Sequence, residues 1–311
     1  MASQTEFATA SSVAGSPLAA PIQPQKEHPV TMHSPLSESD IQFVQTLARQ
    51  AGEMALSMRQ GVKVSHKTGP SDLVTDADLS ISKFLIAELN QSFPNDLVVS
   101  EEQQHPLDAE PNAIGPTRTW LIDPIDGTEN YVKNDGQYTT MLGLIAEGQP
   151  YFGCIYQPSC RTLFYGGLEF GAWKQVGDEP AQRYEPSRRL RDSMPIRLMM
   201  GWTDRRKFPW VMSLPDIHFV PSESLGLKIL KILEDDADVF VSLTGRVKLW
   251  DTAAPAAIAM GAGIEVGTAD GGALPYPIPR PQHGSSVIIG RPGAIEWAKQ
   301  NLQQKVSRTS G

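Results

Sequence analysis

Apolar positions recur along this chain at two spacings, and the changes of spacing mark its elements. Ile41, Val44, Ala48, Ala51, Ala55 and Met58 follow one another at intervals of three and four. They lie behind Ser37-Glu38-Ser39-Asp40, which has the form of a capping box, so a first helix is predicted from about 38 to 59 and stopped by Gly61. Val62, Val64, Leu73 and Val74 flank Lys67-Thr68-Gly69-Pro70-Ser71 and predict a short hairpin. From Leu79, the positions Ile81, Leu85 and Leu89 give a second helix ended by Pro94, with Asp78 at its start, where a lone aspartate commonly serves as a cap.

Leu97 to Glu102 is an apolar run that ends on two carboxylates, and 104–117 reads as a Pro-, Asp- and Asn-containing loop. Trp120, Leu121 and Ile122 then lead up to Asp123. Pro124 has no N–H for a ladder, so the strand is expected to end at that first carboxylate. Asp126-Gly127 reads as a tight turn with the Thr128 hydroxyl at the same corner. Closely spaced apolar runs at 138–145, 151–156, 162–165 and 172–176 predict an antiparallel sheet.

A polar, charged passage at 177–195 is the candidate boundary between two halves. Its Arg188, Arg189 and Arg191 read either as a solvated linker or as contacts for an anionic substrate. Beyond it the element types alternate: strand 196–200, helix 224–234, strand 238–243, helix 251–261, strand 285–289, helix 292–305. This is the alternation of an α/β layer arrangement, whereas the first half reads as α+β.

Composition narrows the class. The chain has 311 residues, 40% hydrophobic and 20% charged, with a formal net charge of -8. That balance describes a globular protein and disfavours one that tracks a nucleic-acid backbone. No apolar run approaches the roughly 20 residues of a membrane span. Cys154 and Cys160 are too few for a disulfide scaffold or a structural zinc site and read as core or loop residues. Residues 1–36 show neither period and read as a disordered tail; with no targeting pattern, a cytoplasmic protein is expected. The expected division is therefore tail 1–36, an N-terminal α+β unit 37–185 and a C-terminal α/β unit 186–311.

Carboxylates stand at element boundaries in four places: Asp78, Glu101-Glu102, Asp123 with Asp126, and Asp251, which follows Leu249-Trp250 at the start of an Ala-rich helix. Asp123 and Asp126 on one rigid corner repel each other unless a cation or proton intervenes. Alone they read equally well as a divalent-metal site or a solvated turn. None of the six histidines forms a metal-spaced pair, and His66 and His105 read as surface loop residues.

D-L-V-T-D-A-D (Asp72 to Asp78), V-S-E-E, W-L-I-D-P-I-D-G-T-E-N-Y (Trp120 to Tyr131) and L-W-D-T-A-A together resemble the magnesium-dependent, lithium-sensitive phosphomonoesterase superfamily. That superfamily includes inositol monophosphatase, fructose-1,6-bisphosphatase and 3'(2'),5'-bisphosphate nucleotidase. The resemblance covers roughly residues 38 to 305 and implies a layered αβαβα phosphatase fold with two intimately packed sheet-containing halves. It implies two or three Mg2+ ions, with Mn2+ as a substitute, held by Glu101, Asp123, the Ile125 carbonyl, Asp126 and Asp251. It gives Asp78 and Thr128 the orientation of the nucleophilic water, with Glu101 also catalytic and Glu102 behind the ligands. Asp126, Gly127, Thr128 and Asp251 would face the substrate, with Gly127 and Thr128 offering N–H groups to phosphate.

Ser222 to Leu230 followed by Glu234 to Val241 resembles the bisphosphate nucleotidase branch. Inositol monophosphatases tend to carry a Glu seven residues before the last metal Asp, and that position is Thr244 here. Lys228 reads either as a contact for a second phosphate or as a helix-surface lysine. The resemblance thus implies a small phosphorylated substrate, with 3'-phosphoadenosine 5'-phosphate ahead of inositol or sugar phosphates. It implies no nucleic-acid polymer or membrane partner, and a monomer or homodimer.

Overall fold

The computed structural model describes residues 36–66, 73–103, 118–185, 188–190, 194–221, 224–278 and 280–302. Residues 1–35 of the predicted tail, the hairpin turn, the 104–117 loop, His105, Arg191 and positions 303–305, where a helix was predicted, lie outside them, whereas Leu36, assigned to the tail, is buried in the core. From Leu36 onward the chain forms one compact unit. Its first helix, α1 (Glu38–Met58), starts on the expected capping box: the Ser37 hydroxyl accepts from Asp40 N–H, and Ser37 N–H donates to the Asp40 carboxylate at 2.8 Å. β1 (Val64–His66) and β2 (Leu73–Thr75) pair antiparallel as a hairpin, which puts the exposed His66 in a strand rather than a loop. α2 (Asp76–Ser92) follows directly.

A seven-stranded sheet comes next, in the order β3 (Leu97–Ser100), β4 (Arg118–Asp126), β5 (Thr139–Ala146), β6 (Gln149–Gln157), β7 (Thr162–Gly167), β8 (Gly171–Val176) and β9 (Gln182–Arg183). Only β3 and β4 are parallel; the other neighbours are antiparallel, as the run spacing predicted. One expectation fails here, because β4 does not end at Asp123. Pairing with β5 runs from Asp123↔Met141 to Asp126↔Thr139, three residues against two. The extra residue is a β-bulge, the one place inside a sheet where Pro124 costs no ladder bond. Asp126 therefore stays on the strand. Gly127, at φ +94°, then turns the chain into a short helix the sequence did not announce, α3 (Thr128–Lys133).

The second sheet has the order β11-β10-β12-β14-β13, formed by β10 (Ile196–Met200), β11 (Ile217–Phe219), β12 (Val239–Ser242), β13 (Glu265–Gly267) and β14 (Val287–Gly290). β10 is parallel to β11 and β12, while β14 is antiparallel to both its neighbours. The helices are α4 (Trp202–Lys207), α5 (Leu225–Leu233), α6 (Leu249–Gly261) and α7 (Ala294–Asn301). Among these, α4, β11 and β13 were missed, being too short to establish a period.

Strand alternation sorts the core into layers. Trp120, Ile122, Leu142 and Leu144 point into one cluster with α1 and α2, while Leu121 and Met141 point into another with α5 and α6. On the second sheet Met199 and Phe240 face α5 and α6, and Leu198, Met200, Val239 and Val241 face α7. The result is helices, sheet, helices, sheet, helices, the expected αβαβα stack.

Small residues set how closely α6 lies on the first sheet. A Cβ at Gly143 would fall 2.5 Å from Ala253 Cβ, and one at Gly153 2.2 Å from the Ala254 carbonyl. Gly143→Val should therefore lift the helix that carries Asp251. We expect a stability loss of at least the roughly 1–3 kcal/mol typical of overpacking together with weaker magnesium binding, read by thermal denaturation and calorimetry. An equally stable variant with unchanged magnesium affinity would contradict this packing account.

Candidate active site

Four chain corners meet where β3 and β4 end and α2 and α6 begin. At the first, Thr75 caps α2. The Asp78 carboxylate accepts from Thr75 N–H at 2.8 Å and from the Thr75 hydroxyl, and Asp78 is 1% exposed. Its other oxygen accepts from the Thr128 hydroxyl at 3.4 Å, and that hydroxyl also lies 3.2 Å from the Ile125 carbonyl. Asp78 is thus not the cap itself but the third residue of the helix, which completes a capping box with Thr75 and also partners Thr128, fifty residues away.

Asp123 is buried beside β3, where Glu101 N–H extends the strand pairing to the Ile122 carbonyl at 3.0 Å. Its Oδ1 is buried and has no hydrogen-bond partner among the described residues. Burial raises its carboxyl well above the usual range, and the negative charges of Glu101, Asp126, Asp251 and Asp78 add to that. Asp251, in the first turn of α6, is raised for the same reasons: burial first, then Glu101 and Asp126, opposed by Lys248 N–H donating at 3.0 Å. Five acids from four elements therefore feel one another.

Asp126 is turned toward the start of α5. It accepts from the Ser224 hydroxyl, from Gly226 N–H at 2.7 Å, from Leu225 N–H at 3.2 Å and from the Thr139 hydroxyl at 3.3 Å. Three of these bonds fall on Oδ2, which leaves Oδ1 with lone-pair capacity. Gly226 makes the approach possible, since a Cβ there would stand 2.9 Å from Asp126 Oδ2. Ser224, Gly226 and Thr139 are site residues the sequence reading missed. The signal for Ser224 was its place as N-cap of a strongly apolar helix.

A divalent cation fits this donor set: a buried carboxylate oxygen with no partner, surrounded by acids and free of His or Cys, suits a hard ion. Among the described residues no three such side chains stand close enough around one point to hold an ion as they are. Asp126 and Asp251 lean instead on the α5 amides and on Lys248 N–H.

Other expectations resolve individually. Lys228 is 6% exposed with Nζ 3.5 Å from the Ser224 carbonyl, so it is no helix-surface lysine. Arg188 is exposed and pairs with Asp235 at 2.8 Å, at the far end of α5 from Asp126, so it lies away from the acid cluster and reads as a solvated residue. Thr244 donates its N–H at 2.9 Å to Asp204, whose carboxylate also takes Leu243 N–H at 2.7 Å and the Ser242 hydroxyl at 2.8 Å. A carboxylate does reach the Thr244 position, then, but from α4, and it is 5% exposed with both oxygens occupied. Cys154 is buried in β6 and Cys160 is exposed, both as free thiols.

With this geometry established, comparison with known proteins is decisive. A profile of the inositol monophosphatase family matches residues 37–307. The chain belongs to the inositol monophosphatase family. Membership makes it a phosphoric monoester hydrolase that depends on divalent metal. It is 30% identical over 234 residues to the 3'(2'),5'-bisphosphate nucleotidase CysQ of Salmonella typhimurium, covering 74% of this chain and 91% of that one. It is 33% identical over 215 residues to CysQ of Aggregatibacter actinomycetemcomitans, covering 69% and 78%. In fold it resembles the IMPase of Thermotoga maritima, at TM-score 0.67 and 22% identity, covering 88% of this chain and 100% of that one. CysQ from Bacteroides thetaiotaomicron gives TM-score 0.62 at 24% identity, covering 79% and 94%. Among the described residues, no helix of this family member is long and apolar enough to cross a membrane.

Proposed function

We propose that the protein is a magnesium-dependent 3'(2'),5'-bisphosphate nucleotidase that removes the 3'-phosphate of 3'-phosphoadenosine 5'-phosphate and leaves AMP. The observation that carries the metal reading is the buried, unpartnered Asp123 Oδ1 among Glu101, Asp126 and Asp251. These side chains, with the Ile125 carbonyl, are the proposed holders of two or three Mg2+ ions, and Mn2+ would occupy the same oxygen set. When bound, such cations neutralise phosphoryl oxygens, make water a better nucleophile and stabilise the departing alkoxide.

The chain's own residues supply orientation and proton movement. Asp78 polarises the Thr128 hydroxyl, so the Thr128 oxygen can accept a hydrogen from the attacking water. That leaves a water lone pair aimed at phosphorus. As the new P–O bond forms and the ester P–O bond breaks, the proton passes through Thr128 toward Asp78, and the leaving oxygen takes one from solvent. Gly127, whose φ of +94° and 2.9 Å clearance to the Gln137 carbonyl exclude a side chain, lets the backbone come close to the phosphate.

Substrate preference must come from contacts beyond the cations. The CysQ relatives support the nucleotide reading. So does a wall at Thr244 where the Asp204 carboxylate is already occupied and offers no acceptor to a polyol. β10 and β12 run parallel, so both C-terminal ends lie on the edge from which the chain continues to Asp251. On that edge Trp202 is 62% exposed, with the Arg206 guanidinium 4.6 Å from its ring centre, an aromatic face suited to a nucleobase. Buried Lys228 is the proposed contact for the second phosphate.

The test compares kcat/KM for 3'-phosphoadenosine 5'-phosphate, 3'-AMP, 5'-AMP, inositol 1-phosphate and fructose 1,6-bisphosphate, with the nucleoside product identified. A preference above tenfold, about 1.4 kcal/mol, for either of the last two would overturn the nucleotidase assignment. Trp202→Ala should raise KM for the nucleoside bisphosphate several-fold and leave inositol 1-phosphate hydrolysis unchanged. An equal effect on both substrates would remove Trp202 from base recognition.

A further inference from the structure

Behind the turn that carries Asp251 lies a buried polar group that none of these roles uses. Thr252 is 0% exposed, and its hydroxyl lies 2.7 Å from His283 Nε2, 3.0 Å from the Tyr276 hydroxyl and 3.2 Å from the Leu249 carbonyl. His283 Nδ1 is 2.7 Å from the Pro275 carbonyl. A carbonyl only accepts, so Nδ1 carries the proton and Nε2 is an acceptor. Burial pushes His283 down to about 4, which keeps the ring neutral and agrees with that tautomer. Donation then has one consistent direction. Tyr276 O–H donates to Thr252 Oγ1, and the Thr252 hydrogen goes to His283 Nε2.

The backbone reinforces the same junction. His283 N–H donates to the Val247 carbonyl at 3.1 Å and Gly284 N–H to the Gly245 carbonyl at 3.1 Å, while Leu249 N–H donates to the Pro281 carbonyl at 2.9 Å. These bonds grip the chain on both sides of Lys248, whose N–H holds Asp251 Oδ2. A fully satisfied buried network has a single arrangement.

We propose that Tyr276, Thr252 and His283 are positioning residues that lock the first turn of α6 and so fix the Asp251 carboxylate for cation binding. The inference rests on reading Asp251 as a cation ligand. None of the three touches substrate or cation; they act through the helix turn.

Magnesium binding to the full chain, measured by isothermal titration calorimetry, tests this, with the unfolding temperature in chelator recorded for every variant. Groups that orient metal ligands commonly change affinity by about 10–100-fold when removed. Thr252→Val keeps the shape and deletes the hydroxyl, and should raise the magnesium Kd about tenfold. Thr252→Ser should stay within twofold of the unaltered protein. Magnesium binding within twofold for Thr252→Val would overturn the proposal. Should that variant fail to fold, Tyr276→Phe and His283→Asn decide: weakened magnesium binding in both supports the clasp, and unchanged binding in both overturns it. Asp251→Asn is the reference arm. Unchanged binding there would instead overturn the ligand reading beneath the proposal.

Discussion

Asp123→Asn should abolish magnesium-dependent phosphate release and, in chelator, make the protein more stable than the unaltered chain. Both effects have one origin. Asp123 is buried with an unpartnered oxygen and faces Glu101, Asp126, Asp251 and Asp78, which together hold its carboxyl well above the ordinary range. A carboxyl raised on folding contributes stability that is fully present below its ordinary pKa. That contribution is lost as pH rises through the raised value. At neutral pH and without cation, folding must therefore either bury that charge or take up a proton to cancel it, a cost that asparagine removes. Thermal denaturation in chelator across pH 4 to 8 should show the unaltered protein weakening as pH rises and the variant weakening less. Adding magnesium should stabilise the unaltered protein and leave the variant nearly unchanged. Equal melting profiles for the two in chelator would mean that the acids do not interact as described.

Thr128→Ala should lower kcat by about 10²–10⁴ while leaving magnesium affinity and melting temperature close to those of the unaltered protein. Thr128 contributes a hydroxyl placed between Asp78 and the Ile125 carbonyl, and α3 retains its backbone bonds without it. Asp78→Asn should lose a comparable factor. Asp78→Ala should additionally cost about 1 kcal/mol of stability, because it deletes the acceptor of the Thr75 N–H and with it half of the α2 capping box. Comparing the three variants separates proton handling from helix capping. Near-normal turnover in both Thr128→Ala and Asp78→Asn at saturating magnesium would remove the proposed water-activating pair.

What the sequence made legible was what local patterning encodes. The 3.6 period and the Ser37 box announced α1, and closely spaced apolar runs broken by turn residues announced β5 to β8. The order of four acidic motifs identified the acids that α2, β3, β4 and α6 bring together. The bulge at Pro124 escaped because a proline after a strand-end carboxylate ordinarily stops the strand. Only the pairing partner, Met141 to Thr139, reveals that the ladder resumes. The contact between Asp126 and Ser224 spans 98 positions and has no local signature. The same holds for Asp204, which delivers a carboxylate to the Thr244 backbone from a helix too short to announce itself. Lys228 was ambiguous because a lysine within an apolar helix can snorkel or be enclosed, and only packing distinguishes the two. His283 gave no signal at all, since its partners Thr252 and Pro275 become neighbours only through the fold.

The central claim is that Glu101, Asp123, Asp126 and Asp251 converge on divalent cations. Crystals soaked in Mn2+ and measured at the manganese absorption edge test it most directly. The account predicts anomalous peaks bordered by the Asp123 carboxylate, with Asp251 and Glu101 as neighbours. Full phosphatase activity in Mn2+ with no peak at Asp123 would contradict it.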